Sequence, residues 1–262
     1  PSVATALAQI DPSADSALDD AAAAFLAHYA GAEAVDEAQR KIDLDALAAR
    51  VAEGAEAVDA AVAKNFDYGS AACEATGKCS SDPPSAEATA WVAAQHARGI
   101  VFRYAGEGTT EAKLDPSVLA KRLAKGLSPA AAGYLLAQAA DDKALANYDE
   151  DGYGGPADDL VDAIVAWEAV DRLGASPYRA TAESRASALL SEYLRMGYSE
   201  FNERRHPVTE EHRASYARFI RDHADSRYAA AVERFVAAVG KHGFKPTEAQ
   251  LDQAVRTATQ TK

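Results

Sequence analysis

Apolar residues recur at helical spacing along most of the chain. Residues 16–30 read "SALDDAAAAFLAHYA", with two acids in the first turn that complement the helix dipole. A long amphipathic run over residues 33–65 predicts a second helix, and we expect Gly54 to break or bend it. The apolar positions of this run are Ile42, Leu47, Val51, Val58 and Val62.

Three later helices are predicted by a capping residue followed by proline at the first helical position. These pairs are Asp115–Pro116, Ser128–Pro129 and Ser176–Pro177. A further helix is expected over about residues 85–105, with Trp91, Val92, Ile100 and Phe102 as its core positions. Periodic segments at about 158–173, 209–223 and 226–239 predict three more, and Thr247 with Gln250 matches a capping box before the last one.

The count reaches about ten helices and no strand, which predicts an all-α fold, either a multi-helix bundle or an irregular helical-repeat array. The composition agrees, because the chain is rich in Ala, has only 8% aromatic residues and has few β-branched runs. We expect an acidic N-terminal helical region over residues 1–105 and a C-terminal helical region over 106–262. One continuous domain stays open as an alternative.

The net charge of −13 argues against a broad nucleic-acid interface, because phosphate binding needs a basic face. The last third has a small basic excess, so an acidic partner stays open there. No stretch reaches the roughly 18 apolar residues of a membrane helix. We therefore expect another protein as partner, no nucleic acid and no transmembrane segment. The first residue, Pro1, leaves open a processed terminus and a lipid anchor before it.

The two cysteines, Cys73 and Cys79, lie in the turn-rich stretch "CEATGKCSSDPP". Their spacing is compatible with a small disulfide loop, which would stabilise the fold by roughly 2 kcal/mol on the chain-entropy model. Two unpaired thiols are the alternative. A disulfide would indicate an oxidising compartment, and we expect a bacterial periplasmic or secreted protein.

Two segments about fifty residues apart read alike: "EAVDRLGASPYRATAESRASAL" and "ARFIRDHADSRYAAAVERFVAA". Ser176 aligns with Ser226 and Tyr178 with Tyr228, so each segment has a helix end, a Ser cap and an aromatic in the next first turn. This stretch, roughly Asp158 to Val239, resembles the tetratricopeptide-like repeats of bacterial envelope proteins, such as the outer-membrane assembly lipoproteins. The resemblance implies a protein-binding scaffold with two repeat-like helix pairs.

The loop "NYDEDGYGGPAD" matches part of the EF-hand pattern, which places oxygen ligands at positions 1, 3, 5 and 12 and Gly at 6. The predicted calcium ligands are Asn147, Asp149, Asp151, the carbonyl of Tyr153, and Asp158. Asn at position 1, Gly154 at position 8 and the short Asp158 at position 12 predict a weak site, in the range of roughly 10⁻⁴ to 10⁻³ M. A solvated acidic turn without a metal is the alternative.

The remaining polar residues give little further chemistry. His206 and His212 lack the spacing that would put both on one helical face, which favours a surface location over a metal site, although Glu210 and Glu211 are close by. The arginines from Arg204 to Arg221 indicate a solvated helix face or a surface for an acidic partner. We expect a non-enzymatic assembly factor or inhibitor. A polymer-acting enzyme with carboxylate acid/base residues, Glu107 among them, is the alternative.

Overall fold

The computed structural model describes residues 2–32, 35–77, 83–106, 109–149, 152–174, 176–196 and 208–259. Helices make up 70% of the structure, which confirms the predicted all-α class, and the described residues form twelve of them. In chain order the helices are α1 (Val3–Leu7), α2 (Ala17–Tyr29), α3 (Glu37–Lys64), α4 (Phe66–Ala75), α5 (Ala86–Ala97), α6 (Pro116–Arg122), α7 (Pro129–Leu145), α8 (Ala157–Arg172), α9 (Arg179–Arg195), α10 (Glu210–Asp222), α11 (Ala229–Gly240) and α12 (Glu248–Thr259).

Two short antiparallel sheets accompany the helices. Strands β1 (Ile100–Gly106) and β2 (Thr109–Leu114) pair with each other, and so do β3 (Tyr148–Asp149) and β4 (Gly152–Tyr153). The contacts divide the chain into two compact units, Pro1–Ala139 and Ala140–Lys262. The boundary that we predicted at residues 105 and 106 lies inside the β1–β2 pair.

The prediction of helix up to about residue 105 is wrong beyond Ala97. Gly99 adopts a φ of 80°, in the left-handed region that ends helices, and the β-branched and aromatic residues from Ile100 to Tyr104 then form β1. Ile100 and Phe102 are buried as predicted, but as alternate residues of a strand. The outer edge of β2 meets α3, where the Ala112 amide donates to Asp59 Oδ1 at 2.6 Å.

The first unit has its core between α2, α3 and the hairpin. Phe25, Leu44 and Leu47 are fully buried, and the Tyr68 ring stacks on Trp91 with centroids 4.4 Å apart. Ile42 does not join this core, because 60% of the residue is exposed. Helix α3 also continues through Gly54, where an added Cβ would overlap the carbonyl oxygen of Pro12. That glycine therefore permits a close backbone contact rather than ending the helix.

In the second unit α8 packs on α9, and α11 packs on both α10 and α12. The two aligned segments enter their second helices with nearly the same backbone: Tyr178 has φ −91° and ψ −15°, and Tyr228 has φ −85° and ψ −14°. Helix α9 begins at Arg179, a short distance after the predicted Ser176–Pro177 start. The Asp115 cap and the Thr247–Gln250 capping box are both confirmed by hydrogen bonds.

Candidate functional site

A cavity of about 390 Å³ opens on the second unit, between the loop before α8, the end of α9 and one face of α10. Three of the α10 residues that line it, Glu211, Ser215 and Arg218, are spaced by three, four or seven positions, which puts them on one side of that helix, and His212 lies beside them. The whole lining consists of Tyr153, Gly154, Gly155, Pro156, Ala157, Asp158, Met196, Glu211, His212, Ser215 and Arg218.

Helix α10 is fixed behind the cavity by buried tyrosines. The hydroxyls of Tyr193 and Ser215 are hydrogen-bonded at 3.0 Å, and the Tyr216 hydroxyl donates to the Leu194 carbonyl at 3.2 Å. The Tyr193 and Tyr216 rings meet edge to face, with centroids 5.2 Å apart. These contacts join α10 to the last turn of α9, so they also hold Met196 at the cavity wall.

The loop side of the cavity is held by backbone and amide contacts. The Gly154 amide donates to the Asn147 carbonyl at 3.0 Å, and the Tyr153 hydroxyl donates to the Pro156 carbonyl at 2.6 Å. Asn147 Nδ2 donates to Asp159 Oδ2 at 3.1 Å. A Cβ at Gly155 would overlap the Asn147 side chain, so only glycine fits this approach.

The charged groups of the lining balance except for one carboxylate. Asp158 Oδ1 accepts from Arg218 at 3.0 Å, an ion pair between α8 and α10. His212 is half-buried, and burial lowers its pKa, although the nearby Glu211 carboxylate opposes this effect. The imidazole is therefore neutral at pH 7. Burial likewise raises the pKa of Tyr153, so the remaining full charge in the lining belongs to Glu211.

The predicted calcium ligands are only partly within the described residues. Asp151 lies outside them, and only the backbone of Asp149, in β3, is described. Asn147 and Asp158 are bound to Asp159 and Arg218, and no group of three or more His, Cys, Asp or Glu side chains among the described residues could hold a metal. These engaged donors do not form a calcium cage in this arrangement. Calcium binding stays a prediction.

Other predicted residues have mixed outcomes. Cys73 is buried in α4 while Cys79 lies outside the described residues, so their disulfide stays a prediction. Glu107, His206, Arg204 and Arg205 lie outside the described residues as well. The sequence did not single out the α10 face as a site. Its only signal is the spacing of His212, Ser215 and Arg218, which is also that of an ordinary helix.

Comparison with protein-family models, with curated proteins and with solved structures found no match to this chain. Within the described ranges, no helix combines the length and apolar composition that a bilayer crossing requires.

Proposed function

We propose that this chain is an α-helical scaffold that binds another protein, and that the cavity of the second unit receives an extended segment of that partner. The observation that carries the proposal is the wall of the cavity itself. It combines glycine and proline backbone, the small side chain of Ala157, one larger apolar side chain, Met196, and a few polar groups on a fixed helix face. Such a mixture suits a peptide, because exposed backbone groups bind main chain and side-chain contacts add selectivity.

The frame around the cavity supports binding without a large rearrangement. The Asp171 carboxylate accepts from Arg179 at 3.1 Å and from Arg227 at 2.6 Å. The buried Glu168 carboxylate accepts from the Arg227 amide at 2.8 Å. These bonds tie the end of α8 to the entry turns of both α9 and α11. A frame that is ordered before binding loses less conformational entropy when the partner docks.

Binding is favoured over acid/base catalysis by the state of the carboxylates. Asp158 and Glu211 are the two carboxylates of the cavity lining, and Asp158 is paired with Arg218. A glycosidase-type mechanism needs one carboxyl group that holds its proton and a second, ionised one. Arg218 holds Asp158 in an ion pair, so this carboxylate is not free to act on a bound substrate, and Glu211 is left as a single exposed carboxylate without a partner for such a mechanism.

The proposed compartment is the bacterial periplasm or the cell exterior. This part of the proposal rests on the predicted disulfide between Cys73 and Cys79. A thiol assay on the native, unreduced protein tests it, and two reactive thiols would contradict it.

The test of the scaffold is a capture experiment from a periplasmic extract with matched variants. Ala157→Trp places a large ring in the cavity lining, whereas Ala169→Trp puts the same ring on the exposed face of α8. We expect a stoichiometric partner with the wild type and with Ala169→Trp, and its loss with Ala157→Trp. Equal capture by all three proteins, or no partner with any of them, would contradict the proposal.

A further inference from the structure

We propose that the cavity selects a lysine or arginine side chain on the bound segment, and that the Glu211 carboxylate is its counter-charge. This inference rests on the proposed function, which it deepens by naming the chemistry of the segment. Among the described residues, Glu211 is the charged group of the lining that forms no ion pair. A cation that enters the cavity therefore meets one uncompensated negative charge.

The other titratable groups around Glu211 do not offset that charge. Arg218, two turns further along the same face of α10, is paired with Asp158 from α8. His212 is the adjacent residue, and burial lowers the pKa of its imidazole. Tyr153 presents a phenol on the loop side of the cavity. The neutral imidazole and the phenol add polar contacts without repelling a cation.

The apolar part of the wall suits the stem of such a side chain. Lysine and arginine carry three or four methylene groups, which pack along apolar surface while the charged head stays near water. Met196 is the apolar wall residue, and its flexible thioether adapts to an irregular stem. The second unit, residues 140–262, has 21 acidic and 16 basic residues, and its net charge of −5 would also attract a basic partner before contact is made.

Glu211 has a second role that its neighbour shares, and this provides a matched control. Glu210 and Glu211 are both exposed acids in the first turn of α10, where they complement the helix dipole. Only Glu211 lines the cavity. Glu210→Gln and Glu211→Gln therefore remove the same charge from the same helix end, but only the second variant removes it from the cavity.

The experiment uses the full chain and two end-blocked five-residue peptides that differ only in a central lysine or glutamine. Binding is followed by NMR signals of His212 and Met196 during titration. We expect the lysine peptide to bind more tightly, and Glu211→Gln to weaken it about fivefold, the upper range for an exposed ion pair. Glu210→Gln should change the dissociation constant less than twofold, and added salt should reduce the preference for lysine.

Equal binding of the lysine and glutamine peptides would overturn the inference, because the cavity would then bind a segment whatever its charge. The proposed scaffold function would not be affected by that result. Equal losses in the two glutamate variants would also overturn it, since they would indicate attraction by the overall charge. If neither peptide shifts the cavity signals, the inference fails. The Ala157→Trp capture experiment then decides separately whether the cavity binds a partner at all.

Discussion

The carboxylate of Asp141 receives two hydrogen bonds from the guanidinium of Arg185, each 2.7 Å long. Asp141 lies near the end of α7 and Arg185 in α9, and the Trp167 indole nitrogen donates to the same carboxylate at 3.0 Å. The Asp141 side chain is only 7% exposed. Three donors therefore satisfy a buried charge, and this group positions the C-terminal end of α7 against α8 and α9.

We expect Asp141→Ala to lower the free energy of unfolding by about 2–3 kcal/mol, because Arg185 and the buried Trp167 indole lose their shared acceptor. Asp222→Ala is the control. Its carboxylate makes the same two-pronged contact with Arg221, at 2.7 and 2.9 Å, but both side chains are more than half exposed. That change should alter the free energy of unfolding much less than Asp141→Ala, because water screens an exposed ion pair.

Urea unfolding measures both changes in a Trp91→Phe background, where Trp167 is the remaining tryptophan and reports on the second unit. Equal effects of the two substitutions would show that burial does not strengthen the Asp141 contact.

Ser176 and Ser226 align in the sequence, but their hydroxyls differ in hydrogen bonding, so we expect replacement by alanine to change stability in different ways. Ser226 Oγ accepts from the Tyr228 amide at 3.1 Å, whereas Ser176 Oγ is buried without a hydrogen-bond partner among the described residues. Ser226→Ala should cost about 1 kcal/mol, typical of a lost cap. Ser176→Ala should be neutral or slightly stabilising, because it removes an unsatisfied buried hydroxyl. The same fluorescence assay checks this, and a loss of similar size at both positions would contradict it.

The all-α fold class and most helix starts could be predicted from the sequence, because they depend on interactions between residues close in the chain. Asp115 and the Thr247–Gln250 box bind the first amides of their own helices, and such bonds involve residues close in sequence. Ile100–Tyr104 was missed because aromatic and β-branched residues at alternating positions also suit a buried helix end, and only pairing with β2 decides between the two.

The site was less predictable, because its parts are distant in the sequence. The loop that we predicted as a metal site lines the cavity, but the other wall comes from α10, about sixty residues later along the chain. Asp158 was predicted as a calcium ligand from local spacing, and its partner Arg218 is a long-range contact that no local pattern indicates. Likewise, the role of Gly54 depends on Pro12, which is distant in sequence.

Stability in alkali should depend on Tyr193. Burial raises the pKa of its hydroxyl to about 12 from the ordinary value of 10.0. Between these two values the unfolded chain releases this proton while the folded chain keeps it, so stability is full below pH 10 and falls as the pH rises toward 12. One such proton contributes about 1.4 kcal/mol per pH unit to the slope.

Tyr193→Phe should therefore make the free energy of unfolding of the second unit fall less steeply above pH 10. The slope is the quantity to compare, because the substitution also removes the hydrogen bond with Ser215 at every pH. Urea unfolding at several pH values gives the slope, and the tyrosinate absorbance reports ionisation directly. An unchanged slope would mean that other groups cause the alkaline transition.

The predicted calcium site is tested by thermal melts in EDTA and in a few millimolar Ca²⁺. An ion that leaves on unfolding stabilises the native state by mass action, by about 1 kcal/mol when its concentration is about five times the dissociation constant. The expected rise in Tm is about 2–4 °C, and Asp149→Ala should abolish it.

The variant Arg218→Gln distinguishes a metal site from a solvated turn more clearly than Asp149→Ala does. In the structure Arg218 binds one carboxylate oxygen of Asp158, so the guanidinium and calcium would compete for this carboxylate. Without the guanidinium, this competition ends, and the Ca²⁺-dependent rise in Tm should become larger than in the wild type. Calcium should also weaken binding of the lysine peptide if its ligands and the cavity share Asp158. If Ca²⁺ leaves the melting curve of the wild type unchanged, and also that of Arg218→Gln, the loop binds no metal and Asp158 serves only in its ion pair with Arg218.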